Sequence, residues 1–259
     1  MATAQKRQYP FRLATTSFIY PAGYASNVRQ LASLVDEIEL LFFEHRHLPP
    51  KSEIVELADL AEEHCITYNV HLPMDVDMAG GTAEIRRRSI DAVARAIDLV
   101  TPLHPTTHTL HLTFNGSDPS TQAVHRWQDL ALASVSGLLE LCGRPARSIS
   151  IETLDYDPRW FKPVVEGLDL AVCVDVGHVI LYGFDLEQVF ALYADRTTML
   201  HLHGVANGKD HLALSQLDPF HRGIVAAFLQ AFQGSASIEV FSRDRLDASL
   251  DNLPNLMNP

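Results

Sequence analysis

Aliphatic and polar positions alternate in eight short runs along this chain, and between the runs the apolar positions fall back to a spacing of three or four. The alternating runs cover residues 11–18, 35–44, 66–73, 108–114, 148–154, 170–178, 197–205 and 237–242. A two-residue period sends successive side chains to opposite faces of a strand. The segments between them, at about 24–34, 50–64, 81–101, 119–142, 158–167, 184–194, 216–232 and 243–253, carry the helical period. Pro49-Pro50, Ser120 and Asp218-Pro219 stand at helix starts, and Gly143, Gly167 and Gly234 stand where three helices are expected to stop. Strict strand–helix alternation predicts a parallel sheet, and eight repeats predict closure into one α/β domain, a (β/α)8 barrel over residues 1–259. Residues 1–10 are expected to form a flexible N-terminal extension.

The two phases of the strands differ in kind. Ile149 and Ile151 oppose Ser148, Ser150 and Glu152, while Val172, Val174 and Val176 oppose Cys173 and Asp175. Leu200 and Leu202 oppose Met199, His201 and His203; Leu110 and Leu112 oppose Thr109 and His111; Ile238 and Val240 oppose Ser237 and Glu239. The aliphatic phase is expected beneath the helices and the other phase inside the barrel. Barrels of this kind are usually filled by bulky branched side chains. Small residues followed by acids and imidazoles therefore predict a polar site at the C-terminal mouth. Thr15 and Ser17 are read as inward on the first strand, and Cys173 as packing.

Imidazoles mixed with carboxylates are ligands for divalent metals. The candidate ligands are His71, His111, Glu152, Asp175, His178, His201, His211 and Glu239. One ion takes three or four protein ligands. Either two or three ions sit close together, or one ion is ringed by groups that orient it and bind substrate. Glu152, Glu239 and His178 are the candidate catalytic groups, and Glu39, Glu44, His203 and Asp210 the candidates for substrate contact. Paired ions suit an in-line displacement at phosphorus, whereas one ion between Glu152 and Glu239 suits proton shuttling beside a polarised carbonyl. The polar segment after the third strand, MDVDMAGGTAE, is a candidate substrate lid.

Charge narrows the partners. The net charge is −12 and the pI about 5.4, and Arg86–Arg88 is the one basic run, on a predicted helix where a solvated face is expected. That balance argues against gripping a nucleic-acid backbone. No uncharged apolar run reaches 18 residues, so no membrane span is predicted, and MATAQKRQYPF contains no apolar signal core. Cys65, Cys142 and Cys173 form no CxxC pair, which fits a cytoplasmic location.

These motifs resemble those of the xylose-isomerase-like barrels, which include the endonuclease IV type of apurinic endonucleases. In that superfamily strand five ends in Glu, strand six in D-x-x-H, strand seven in His and strand eight in Glu. Glu152, Asp175 with His178, His201 and Glu239 match. The endonuclease branch adds a His on strands three and four, matched by His71 and His111. Its D-x-H after strand seven is met here as Asp210-His211, without the spacer. The resemblance implies two or three divalent ions, zinc or manganese/iron. Glu152, Asp175, His201 and Glu239 would hold the central one, and His71, His111, His178 and His211 would complete the others. TTSFIYP, VDEIELLFFE, YNVHLPMDVD and VDVGH further resemble the cobamide-remodelling phosphodiesterase family. That implies a corrinoid (cobamide) substrate, cut at the phosphoester between phosphate and ribose of its nucleotide loop. The alternatives are a sugar isomerase or epimerase with one ion and a Glu pair, an apurinic endonuclease, which the acidic charge opposes, and a metal-containing protein that only sequesters corrinoid.

Overall fold

The structure is a computed structural model that describes residues 6–116 and 119–257. Eight parallel strands close into a barrel: β1 (Arg12–Thr16), β2 (Glu37–Leu41), β3 (Thr67–His71), β4 (His108–Leu110), β5 (Ile149–Glu152), β6 (Ala171–Asp175), β7 (Thr197–Leu202) and β10 (Ser235–Ile238), with β10 beside both β7 and β1. Around them run α1 (Tyr24–Leu31), α2 (Lys51–His64), α3 (Ala83–Val100), α4 (Thr121–Cys142), α5 (Lys162–Leu168), α7 (Leu186–Tyr193), α8 (Pro219–Leu229) and α9 (Arg243–Met257). The expected fold is the observed one.

Several helices start where a side chain can take up their orphan amides. Thr82 accepts from the Ile85 amide, Ser120 from Ala123, Asp185 from Gln188, and Asp218 from Phe220 and His221. On α3, Ala92, Val93, Ala96, Ile97 and Val100 are buried, while Arg87 and Arg88 reach back to Glu84 on the solvent side. The basic run is thus a solvated face. Gly143 ends α4 in the left-handed conformation, as expected. Gly167 does not end α5; it lies inside that helix, and Asp169 takes the left-handed position. Gly234 serves a close approach, since a Cβ there would lie 2.3 Å from the Thr198 carbonyl oxygen.

Strand register confirms the phase argument on most strands and corrects it on one. Asp175 pairs with His201, His201 with Ser237, Glu39 with Asn69, and His71 with Thr109, so these side chains share the barrel interior. On β1, however, Thr15 pairs with Ile238 in the aliphatic phase, and its hydroxyl donates to the Ile238 carbonyl. The inward residues are Arg12, Ala14 and Thr16, which pair with Ser235, Ser237 and Glu39. The run Ala14-Thr15-Thr16-Ser17 is small and polar in both phases, so alternation carries no information there. The eighth barrel strand also begins earlier than expected, leaving Glu239 just past its end, though the Glu239 amide still donates to the Leu202 carbonyl.

Two elements shape the mouth and were not predicted. A short helix, α6 (Val176–Leu181), starts directly on the end of β6 with Asp175 as its cap. A hairpin, β8 (Gly204–Ala206) and β9 (Lys209–Leu212), follows β7. The expected lid, residues 74–84, is pinned rather than free: Met78 is fully buried, the Asp77 amide donates to Ser89 Oγ, and Arg86 holds the Gly80 carbonyl. Of the expected flexible extension, residues 1–5 lie outside the described residues. Lys6 Nζ donates to the His64 carbonyl at 2.6 Å, the Arg7 amide donates to Asp36, and the Tyr9 ring stacks on Phe11.

Candidate metal centre

The C-terminal ends of β3, β5, β6 and β7, the segments just past β4 and β10, and the hairpin bring acids and imidazoles into one cluster. At its centre His201 Nδ1 faces three carboxylates: Glu239 Oε2 at 3.1 Å, Glu152 Oε1 at 3.3 Å and Asp175 Oδ2 at 3.6 Å. All four side chains are buried. A tetrahedral ion with bonds of about 2.05 Å has ligand atoms about 3.3 Å apart, so these spacings match the edges of a coordination shell.

Tautomers support the same reading. His201 Nε2–H donates to Glu39 Oε1 at 3.0 Å, so in the neutral ring the lone pair is on Nδ1. Nδ1 and Glu239 Oε2 are both buried without a hydrogen-bond partner. An imidazole lone pair aimed at three carboxylate oxygens is repulsive unless a ring proton or a metal cation lies between them. The donor set, one nitrogen and three carboxylate oxygens, suits zinc, manganese or iron(II).

Two further sets flank the centre. His71 Nε2 and His111 Nε2 both approach Glu152 Oε2, at 3.0 and 2.8 Å. On the other side His178 Nε2 and His211 Nε2 lie 4.0 and 3.9 Å from Asp210 Oδ2. Backbone carbonyls orient these rings: His71 Nδ1–H donates to Leu72, His178 Nδ1–H to Thr153 and His211 Nδ1–H to Glu239. A carbonyl can only accept, so in the neutral form of each ring the lone pair is on Nε2, the nitrogen turned into the cluster. Metal-binding histidines are held this way, with the second nitrogen bonded to a carbonyl or carboxylate.

The electrostatics are strongly coupled. Burial raises the Glu152 carboxyl, but His111 and His201 outweigh it and hold it well below the usual carboxylate range. Burial likewise opposes ionisation of Asp175 and Glu239, and the neighbouring imidazoles again prevail. Burial lowers His178, yet Asp175, Glu152 and Glu239 lift it to about 9. His71 and His201 are raised for the same reason, with burial the opposing effect. Without a cation the carboxylates hold protons on the rings; a divalent ion would displace those protons.

The remaining candidates divide. Glu39 does not reach the mouth: it is fully buried beneath His201, where it fixes the ring. Asp210 stands among the outer imidazoles. His203 is fully buried, with Nε2 at 3.1 Å from Asp175 Oδ1 and Nδ1 accepting the His211 amide, so neither it nor Glu39 is exposed at the mouth. Glu44 is not brought to the site; it is exposed at the rim and paired with His47 at 3.0 Å. Cys173 is sealed below Glu152 and His201, and burial pushes its thiol upward. Sequence reasoning missed Thr153, whose hydroxyl accepts the Asp175 amide at 2.9 Å. It also missed an aromatic rim. Phe18 meets Phe43 edge-on at 4.6 Å, Phe241 lies 5.0 Å from the His211 ring, and Tyr182 lies 6.1 Å from His178. For Phe18, Phe43 and Phe241 the available signal was a part-exposed aromatic directly after a strand end; Tyr182 stands instead at the end of α6.

Comparison with known proteins agrees with this architecture. No curated protein matches the sequence. Among solved structures, a D-tagatose 3-epimerase-like protein superposes with a TM-score of 0.82 at 17% identity, over 96% of this chain and 97% of its own. The 3-keto-D-glucoside 4-epimerase of E. coli gives 0.73 at 16%, over 96% and 100%. Endonuclease IV of Thermus thermophilus gives 0.69 at 16%, over 95% and 99%. At such identities the likeness is one of fold, and fold admits several chemistries. The sequence profile of one family spans residues 28–256, nearly the whole barrel, and by that match the chain belongs to the xylose isomerase-like TIM barrel family.

Proposed function

We propose that the protein is a metal-dependent phosphodiesterase, and that its substrate is a cobamide cut in the nucleotide loop. The observation that carries the reaction class is the division of Glu152. One oxygen faces the His71–His111 pair and the other faces His201. A carboxylate shared in this way is suited to bridge two cations, and a third nitrogen-rich set lies beyond Asp175. Closely spaced divalent ions supply charge neutralisation for the attacking and leaving oxygens of an in-line displacement at phosphorus.

The chain's own groups do the rest. Leu72, Thr153 and Glu239 carbonyls and the Glu39 carboxylate lock the four rings, so little reorganisation is left for the moment of reaction. The sealed floor excludes water from below the acids. Phe43, Tyr182 and Phe241 offer apolar faces around the mouth, suited to a flat base or a macrocycle. The substrate identity rests on the N-terminal segments and VDVGH that resemble the cobamide-remodelling family. A net charge of −12 favours a small-molecule partner over nucleic acid.

A sugar epimerase is the second reading. It is favoured by Glu152 and Glu239, which meet His201 Nδ1 as a carboxylate pair around one candidate ion, an arrangement suited to proton transfer on either side of a carbonyl. One experiment separates the two. Metal-replete protein is incubated with complete cobamide and, separately, with ketoses, and products are read by mass spectrometry alongside ions per chain. Cobinamide phosphate with a lower-ligand riboside, and more than one ion per chain, is the expected result. Intact cobamide with ketose interconversion and a single ion would overturn it.

A further inference from the structure

We propose that His203 is a positioning residue that ties the β8–β9 hairpin to Asp175, and thereby sets the outer pair His178 and His211 against the central acids; this rests on the metal-centre reading above. The rings of His178, His203 and His211 offer nitrogens within ligand reach of one another, so His203 presents itself as a third outer ligand. Its hydrogen bonds say otherwise. Nδ1 accepts the His211 amide at 2.9 Å, which requires a bare lone pair there. The ring hydrogen is therefore on Nε2, which lies 3.1 and 3.2 Å from the two oxygens of Asp175. Both nitrogens are committed, and no lone pair remains for a cation. His178 and His211, by contrast, each keep Nε2 free.

The surroundings are cut to this ring. A Cβ on Gly177 would lie 1.9 Å from His203 Cε1, so α6 can pass over the imidazole only with glycine there. A Cβ on Gly204 would lie 2.1 Å from the Ala213 carbonyl oxygen, which closes the hairpin against the next turn. His211 itself sits at φ +48°, a left-handed conformation that strains a side-chain-bearing residue. Three bonds hold it there: its amide to His203, its ring to the Glu239 carbonyl, and its own carbonyl to Arg245. The His203 bond is the one that joins this strained position to the Asp175 carboxylate, whereas the ring bond reaches only the Glu239 backbone. That link offsets the missing spacer between Asp210 and His211, because the left-handed turn swings the His211 ring back over the site, 4.3 Å from His203.

Two near-isosteres divide the link. His203→Asn puts an amide oxygen near the Nδ1 position and keeps an acceptor for His211. His203→Gln puts an amide nitrogen near the Nε2 position and keeps the donor to Asp175. Hydrogen exchange across residues 209–212 and titration with Zn2+ followed by elemental analysis are the readouts. The His211 amide should exchange as slowly in His203→Asn as in wild type and at least about 10-fold faster in His203→Gln. Affinity for the weakest-bound ion should fall about 10- to 100-fold in His203→Gln, with ions per chain at saturation unchanged in both variants. Loss of one saturating ion from His203→Asn with a slow His211 amide would make His203 a ligand and overturn the proposal. Equal His211 exchange in both variants would also overturn it. Wild-type protein that takes up no Zn2+ would remove the metal-centre reading alone, because the amide comparison still decides the tie.

Discussion

The barrel buries acids at both ends, and the two ends treat them in opposite ways. At the N-terminal end Glu37 is fully buried, but its oxygens accept from Thr67 Oγ1 at 2.9 Å, Thr106 Oγ1 at 2.7 Å and Asn69 Nδ2 at 2.9 Å, with Arg12 Nε 3.6 Å away. Neutral donors and one cationic neighbour satisfy it. At the C-terminal end Glu152, Asp175 and Glu239 crowd around one ring nitrogen, and both that nitrogen and Glu239 Oε2 are buried without a hydrogen-bond partner. A buried carboxylate needs compensation in either case. What separates a structural acid from a reactive one on this scaffold is not burial but the lone pairs left without partners.

Substitutions that remove charge without changing size are the sharpest way to break this comparison. Glu152→Gln should lower turnover by on the order of 10^3-fold and reduce bound metal, with the fold retained by circular dichroism. The matching change Glu37→Gln should do the reverse. Turning an amide toward three donors should cost about 1–3 kcal/mol of stability in denaturant titration, with ions per chain unchanged. Equal effects of the two on metal content would dissolve the distinction. Next in size is Glu39→Gln, which weakens the grip on His201 from behind and should reduce metal affinity about 10- to 100-fold, read by competition with a chelating dye.

The pH response of chelator-treated protein sharpens the contrast further. His178 is raised to about 9, and His71 and His201 are raised above 6.5, so their contribution to stability is complete below pH 6.5 and is lost as pH climbs through their folded values. Glu152, Asp175 and Glu239 are lowered, so their contribution is present above about pH 4.5 and fades on acidification. The Tm of metal-free protein should therefore fall between pH 6.5 and 9, and saturating metal, worth about 2.7 kcal/mol at one hundred times its Kd, should remove most of that fall. A flat melting profile would show that the rings carry no protons in the metal-free state. The smallest expected effect is that of Glu44→Ala, within about 0.5 kcal/mol and without loss of activity.

How much of this was legible in the sequence follows from what periodicity encodes. A period of two identifies a face, so Glu152, Asp175, His201 and Glu239 were readable as neighbours from four separate strands. It does not encode depth: Glu39, on the correct face, lies a layer lower, fully buried against His201. It fails where both phases are alike, as at Thr15. It also cannot see a helix that begins without a break: Val174-Asp175-Val176-Gly177-His178 reads as one strand, yet Asp175 caps α6. The hairpin was readable by a different signal. Asn207-Gly208 sits at its tip with φ of +53° and +70°, the pair that tight hairpins demand. What no local rule carries is the direction of a ring hydrogen, set here by carbonyls as distant in sequence as Thr153 from His178.

Cys173 has a practical consequence. Its sulfur lies within reach of Glu152 and His201, but its side chain is sealed and stays protonated. Alkylating reagents and peroxide act on accessible thiolates, so the thiol nearest the reactive groups is the one they cannot touch. Cys65, exposed in the turn that leads into β3 at the opposite end of the barrel, is the natural handle for a fluorescent label, and a dye attached there leaves the mouth unobstructed.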